Sequence, residues 1–185
     1  MDEQKAQKIT IAVDMDGVLA DTESHFINYY EKEFGEKIER KTILGKPESL
    51  AFPDRTAVRR YVHKAGFFRT LPLIKGGQYA IKKLMEDFDV FIVSAAMEFP
   101  LSLYEKKQWL EEHFPFITWR NIVFCGDKSI IKTDYMIDDH IKNLDFFSGI
   151  PLLFSASHNV DVKHHRRLNN WDEILTFFES VKGNV

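Results

Sequence analysis

Apolar residues along this chain fall into short unbroken runs, and amphipathic stretches lie between them. The runs are Ile9-Thr-Ile-Ala-Val13, Val90-Phe-Ile-Val-Ser94, Asn121-Ile-Val-Phe-Cys125, Tyr135-Met-Ile-Asp138 and Ile150-Pro-Leu-Leu-Phe154. Each has too little polar alternation for a strand with one wet face, so each reads as a strand buried on both faces. Helical spacing takes over from Gln78 to Asp87, from Leu101 to His113 and from Ile141 to Phe147. Strands alternating with helices predict βαβ units and a parallel sheet, here of five strands. Asn170, with Glu173 three residues on and Trp171 to anchor it, marks the start of a last helix. That helix runs to about Val181, and Gly183 can end it.

One interval breaks the rhythm. The first run ends at Asp14 and the second begins near Asp89, whereas a direct crossover needs only about a dozen residues. The excess is an insertion with its own structure, mostly helical, over Ser24 to Phe34 and Arg55 to Ala65. Its turn-rich joints are Gly45-Lys-Pro47 and Phe52-Pro-Asp54. The expected division is a core of residues 1–20 and 73–185 with a small cap of residues 21–72 over the strand ends.

Composition narrows the setting. A 44% hydrophobic fraction is enough for a full core, and the net charge of −3 lacks the basic excess of a nucleic-acid binder. No run approaches the roughly 18 apolar residues needed to span a bilayer. The charged N-terminus lacks a secretory apolar stretch, and the single Cys125 cannot form an internal disulfide. A cytoplasmic chain without a nucleic-acid polymer or membrane as partner is the expectation.

Open parallel sheets bind ligands beyond the carboxyl ends of their strands. The first run delivers Asp14-Met-Asp16-Gly17 there, the second Ser94, the third Asp127-Lys128 and the fourth Asp138-Asp139. Carboxylates gathered so closely raise one another's pKa unless a cation compensates. Hard oxygen ligands of this kind suit Mg²⁺, and Lys128 adds a second positive charge to meet a phosphate. This is equipment for phosphoryl transfer, in which positioning and charge neutralisation dominate. An aspartate can serve as its nucleophile.

In the order of these motifs the chain resembles the haloacid dehalogenase (HAD) superfamily of phosphatases. Asp14-Met-Asp-Gly-Val-Leu-Ala-Asp21, Gly66-Phe-Phe68 with Leu71-Pro72 and Gly76, and Asp127-Lys128 ten residues before Asp138 are similar to its 5′(3′)-deoxyribonucleotidase branch. The resemblance implies a HAD-like Rossmannoid three-layer α/β sandwich and hydrolysis of a small phosphate ester, such as a nucleoside monophosphate. Asp14 is then the nucleophile. Asp16 is the general acid and base, and Lys128 steadies the charge. Ser94 and backbone groups near Ala95 hold the phosphate, while Asp14, Asp16, Asp138 and Asp139 form the Mg²⁺ site. The resemblance also points to a homodimer. The chain departs from the branch at Ser94-Ala95-Ala96, where Thr-Ser-Pro is usual, and at Thr22, where an aromatic residue is usual. Two alternatives stay open: another small phosphate ester as substrate, and a binding protein that retains the fold.

Other features invite blander readings. Asp139 could cap the following helix and Asp21 could start the first cap helix. Phe26, Tyr29, Phe52, Phe67 and Phe68 could be the cap's own core, with Phe67 or Phe68 the better candidates to reach a ligand. Arg55, Arg59 and Arg60 read as a solvated face, one of which could still meet a substrate anion. His164-His165-Arg166-Arg167 reads as a solvated loop without zinc-site spacing, and Cys125 reads as core.

Overall fold

The computed structural model describes residues 8–183; the rest of the charged N-terminus and residues 184–185 lie outside the described residues. Strands β1 (Thr10–Asp14), β2 (Asp89–Ser94), β3 (Ile122–Phe124), β4 (Tyr135–Asp138), β5 (Ile150–Phe154) and β6 (Arg166–Leu168) form one sheet. Its order is β3-β2-β1-β4-β5-β6, and every pairing is parallel. Helices α1 (Thr22–Phe34), α2 (Glu48–Ala51) and α3 (Ala57–Val62) precede β2 together with α4 (Gly77–Asp87). Helices α5 (Ser102–His113), α6 (Ile141–Leu144) and α7 (Trp171–Lys182) follow. Among the described residues no helix is long and apolar enough to cross a membrane.

The side-chain alternation of β1 builds the layers. Ile11 and Val13 face one core with Ala80 and Leu84 of α4, Trp109 of α5 and Phe178 of α7. Ala12 faces the other with Val93, Met136, Leu153 and Leu144 of α6. Both faces of the sheet are covered, which is why its strands read as continuous apolar runs.

The five-stranded expectation is corrected by β6, which adds a sixth strand at the edge. Its sequence, Arg166-Arg167-Leu168, carries two cations and one apolar residue, so no apolar run marks it. The loop expected there is tied down instead. The Arg167 guanidinium donates to Ser155 Oγ at 3.1 Å, to Asn159 Oδ1 at 2.7 Å and to the carbonyls of Asn159 and Val162 at 2.7 and 3.0 Å. A short, cationic edge also discourages pairing with another chain. Two helices are shorter than their periodicity suggests. Helix α6 stops at Leu144 rather than Phe147. Helix α3 begins only after an Asp54 turn, in which Asp54 Oδ1 accepts from Thr56 N at 2.8 Å.

Caps lie where the sequence placed them. Asp21 Oδ1 accepts from Ser24 N at 2.9 Å at the start of α1, and Asn170 Oδ1 accepts from Glu173 N at 2.9 Å at the start of α7. Gly76, at a φ of 90°, turns the chain into α4.

Helices α1 to α3 occupy the interval between β1 and α4, and the return from it is gripped by α5. The buried Glu105 carboxylate accepts from the backbone N–H groups of Gly66, Phe68 and Arg69 at 2.6, 3.0 and 3.3 Å. One turn further on, Trp109 Nε1 donates to Leu71 O at 2.7 Å. Phe67 is thereby pinned among His25, Phe26 and Tyr29, with ring centroids 4.9, 5.0 and 5.4 Å away. Replacing Glu105 with Ala strands three backbone donors at a part-buried joint, so Glu105→Ala is expected to cost about 2 kcal/mol. Urea unfolding checks this by a lower midpoint at unchanged slope.

Candidate active site

The sheet order reverses beside β1. The chain steps outward through β2 and β3 and then returns to β4 on the other side of β1. The crevice at such a switch point is where open parallel sheets take their ligands. Val13 is in register with Ile137, so Asp14 and Asp138 leave neighbouring strands side by side. Lys128, in the turn after β3, lies between them, with Nζ 2.6 Å from Asp14 Oδ1 and 2.7 Å from Asp138 Oδ2. All three are buried, as is Asp139.

One ammonium does not balance this many buried carboxylates. Burial pushes Asp14 up to about 7, with Asp138 and Asp16 adding to the rise and Lys128 opposing it. Asp139 is raised well above the carboxylate range by burial first and then by Asp14 and Asp138. Burial alone would lower the Lys128 ammonium, but Asp14 and Asp138 outweigh it and hold its pKa above the usual value. Carboxylate oxygens of Asp14, Asp138 and Asp139 lie within 4.8 Å of one another, and Asp139 Oδ1 is buried with no hydrogen-bond partner among the described residues. An all-oxygen, anionic cluster with an orphaned oxygen fits a hard divalent cation. Asp139 does not cap α6: its side chain lies against the β1 loop. A Cβ at Gly17, which has a φ of 71°, would come 2.1 Å from Asp139 Oδ2. Glycine is required there twice over, by conformation and by space.

Neighbours fix these carboxylates in place. Asn143 Nδ2 donates to Asp138 Oδ1 and Oδ2 at 3.0 and 2.9 Å, and His140 N donates to Oδ1 at 2.8 Å. Asn159 Nδ2 donates to the Asp139 carbonyl at 2.8 Å. Asp16 points away from this group. Its Oδ2 pairs with Lys106, a buried lysine of α5 whose Nζ also donates to Ser94 Oγ at 2.9 Å. Asp16 Oδ1 is buried and has no hydrogen-bond partner among the described residues.

The site opens into a cavity of about 770 Å³ whose wall includes Asp14, Asp16, Ala95 and Lys128 from the core. From the interval before α4 the wall takes Phe26, Arg55, Arg59, Phe67 and Phe68. Both Phe67 and Phe68 are buried, so each serves the packing as well as the wall. Tyr29 and Phe52 lie off this wall and pack within the interval, and Arg60 is held by Glu33 and Asp54, each at 2.8 Å. Cys125 is buried in the core.

Sequence reasoning did not single out Lys106, Glu48, His140, Asn143, His158 or Asn159. Asn143 carries a faint signal, five residues after Asp138 on the helix that follows. Lys106 carries none, because a lysine on a helix is ordinarily solvated. Glu48, His140 and His158 also line the cavity. Burial, with Asp16, Glu23 and Glu98 nearby, pushes Glu48 up to about 7 against the pull of Lys142. Away from the site, Asp145 Oδ1 meets His164 and His165 Nε2 at 2.9 and 2.7 Å, a contact their adjacency in sequence did not foretell.

The family model for 5′ nucleotidase, deoxy (pyrimidine), cytosolic type C proteins matches residues 7–182. The chain belongs to that family. It is 42% identical over 170 residues to a 5′(3′)-deoxyribonucleotidase of Bacillus subtilis, covering 90% of this chain and 96% of the relative. A 5′(3′)-deoxyribonucleotidase of Bacillus phage SPbeta matches equally. Among solved structures, a haloacid dehalogenase-like hydrolase from Streptococcus pneumoniae aligns with a TM-score of 0.58 at 14% identity, over 92% of this chain and 98% of its own. A HAD-hydrolase of Bacillus subtilis bound to magnesium aligns with a TM-score of 0.57 at 14% identity, over 94% and 99%. These last likenesses show the HAD fold. Family membership makes the chain a phosphoric monoester hydrolase.

In cation-free protein Asp14 keeps its proton to about pH 7, whereas the unfolded chain releases it near 3.8. Its contribution to stability is therefore full below about pH 4 and is lost as the pH rises through about 7. Thermal melting in chelator is expected to show the melting temperature falling between about pH 4 and pH 7 and levelling off above that. The fall is shallower in Asp14→Asn, whose side chain does not titrate.

Proposed function

We propose that this chain is a cytoplasmic, Mg²⁺-dependent 5′(3′)-deoxyribonucleotidase that works through an aspartyl-phosphate on Asp14. The observation that carries the reading is the buried Asp14–Lys128–Asp138 group at the switch point, with Asp139 Oδ1 left unpartnered beside it. The deoxyribonucleotidase names of the Bacillus relatives support the substrate class. A wall bearing Phe67 and Phe68 beside Arg55 and Arg59 suits an apolar base with an anionic tail.

In this reading Asp14, Asp138 and Asp139, with the Asp16 carbonyl, would hold Mg²⁺, whose charge would offset that of the phosphoryl group. Met15 N and Lys128 Nζ both approach Asp14 Oδ1, which leaves Oδ2 to attack phosphorus. As the new P–O bond forms, the ester P–O bond breaks and Asp16 passes its proton to the departing alkoxide. Asp16 then takes a proton from water, the oxygen of that water attacks phosphorus, and Asp14 is released with inorganic phosphate. Ser94, the backbone near Ala95, Lys106 and Lys128 gather the phosphate oxygens. Residues 21–72 act as the cap that closes over the substrate, the core being residues 1–20 and 73–185, and two copies associate as a homodimer.

A panel of deoxy- and ribonucleoside monophosphates, sugar phosphates and an aryl phosphate tests the reading by phosphate release. Deoxynucleotides are expected to be preferred, with release lost on chelation and in Asp14→Asn. Activity confined to sugar phosphates would replace the substrate class, and release independent of Asp14 would remove the mechanism. Lys106→Met withdraws a cation from the Asp16 and Ser94 pair, and kcat is expected to fall by about 10²-fold. Steady-state kinetics on the preferred nucleotide reads that fall.

A further inference from the structure

Between the interval before α4 and the β5–β6 edge lies a second cavity, of about 800 Å³. That volume is within the range of sites that take a whole cofactor or drug-sized ligand. Its charges do not cancel. Lys46 precedes α2, Lys75 precedes α4, Lys163 follows β5 and Arg167 lies on β6, and all four line the cavity. Lys46, Lys75 and Lys163 form no ion pair with a carboxylate among the described residues. The half-buried Arg167 guanidinium makes its hydrogen bonds to neutral oxygens alone, so its charge is fixed in place and left uncompensated. Of the carboxylates on this wall, Asp21 and Glu23 answer Arg40, at 3.6 and 3.4 Å, and Asp139 belongs to the acidic cluster. Glu48 remains, against four cations.

Backbone contacts bring these groups around one space. Gly45 N donates to Ser157 O at 2.8 Å, which sets Lys46 against the connection that carries Lys163. Lys163 Nζ meets only the carbonyl of Val160, at 3.3 Å. Cations held around a concave wall focus their field into it, and cations drawn from four places along the chain match a row of anionic groups better than a single one. The wall also has an apolar part. Ile43, Phe52 and Phe154 are buried behind it, and Leu44 is 50% exposed on it. We infer that this cavity binds a nucleoside triphosphate, at a site distinct from the catalytic one. The lysines take the phosphate oxygens through charge-assisted hydrogen bonds, and the base covers Leu44. Thr22, Phe26, Glu48, Asp139 and His158 line both cavities, so a ligand here touches residues of the catalytic wall.

The inference stands apart from the nucleotidase reading, because binding is read without turnover. Deoxyadenosine triphosphate is titrated into the full chain in chelator by isothermal calorimetry, with inorganic tripolyphosphate and deoxyadenosine as partial ligands. One triphosphate per chain is expected, bound at least about tenfold more tightly than either part. Lys46→Gln combined with Lys163→Gln is expected to weaken it at least about tenfold. Two combined pairs are expected to leave it unchanged: Lys82→Gln with Lys132→Gln, exposed lysines off this wall, and Arg55→Gln with Arg59→Gln, on the catalytic cavity. Weakening by the arginine pair and not by the Lys46 and Lys163 pair would place the nucleotide in the catalytic cavity and overturn the inference. Absence of binding, or equal weakening by the Lys82 and Lys132 pair, would overturn it as well. Tripolyphosphate bound as tightly as the nucleotide would overturn the assignment of a nucleoside ligand.

Discussion

Everything at the catalytic edge depends on confining several carboxylates around one ammonium in a space that water barely reaches. Asp14, Asp138 and Asp139 are each more than nine-tenths buried, and Lys128 contacts two of them. Such a group is costly unless nearly every oxygen has a partner. The surrounding structure meets that need piece by piece. Asn143 and the His140 amide hold Asp138, Asn159 holds the backbone of Asp139, and Gly17 gives the Asp139 carboxylate room that any side chain would take. The remaining deficit, an orphaned oxygen and raised carboxylates, is one that a hard cation would relieve. The site is strained in charge rather than in backbone, and ligands complete it.

Chemistry and selectivity are carried by different kinds of structure. Asp14 and Asp138 stand on the ends of central strands, where both faces are packed and the register of β1 against β4 fixes their spacing. The rest of the cavity wall comes from short helices and turns inserted between β1 and α4. In such an arrangement the wall can vary without disturbing the register that holds Asp14 beside Asp138.

This edge was legible in the sequence because strand ends are easy to locate and several polar residues arrive there in a fixed order, although each one alone has an ordinary reading. The motif order placed Asp14, Ser94, Lys128 and Asp138 at one edge, and the structure gathers them there. Strand β6 was hidden because its pairing depends on arginine contacts made by distant loops rather than on an apolar run. Lys106 was hidden because its partners, Asp16 and Ser94, meet it only through the fold. Glu48, His140 and His158 were hidden for the same reason: no spacing along the chain links them. Phe67 and Phe68 carried two readings, core of the cap or contact with a ligand, and the structure leaves both standing, since each is buried and each lines the cavity. A phenylalanine looks alike whether it lines a cavity or fills a core.

Helix α5 places Glu105 and Lys106 on successive residues. The first holds the backbone of the Gly66 joint, and the second pairs with Asp16. A segment that leaves after β1 is therefore addressed by a helix that follows β2. In evolutionary terms the insertion is not a cassette. Recombination that imported the segment between β1 and α4 from a relative would bring a joint without its receptor, and the mismatch would reach Asp16 through Lys106. Lineages that remodel this region should change α5 along with it.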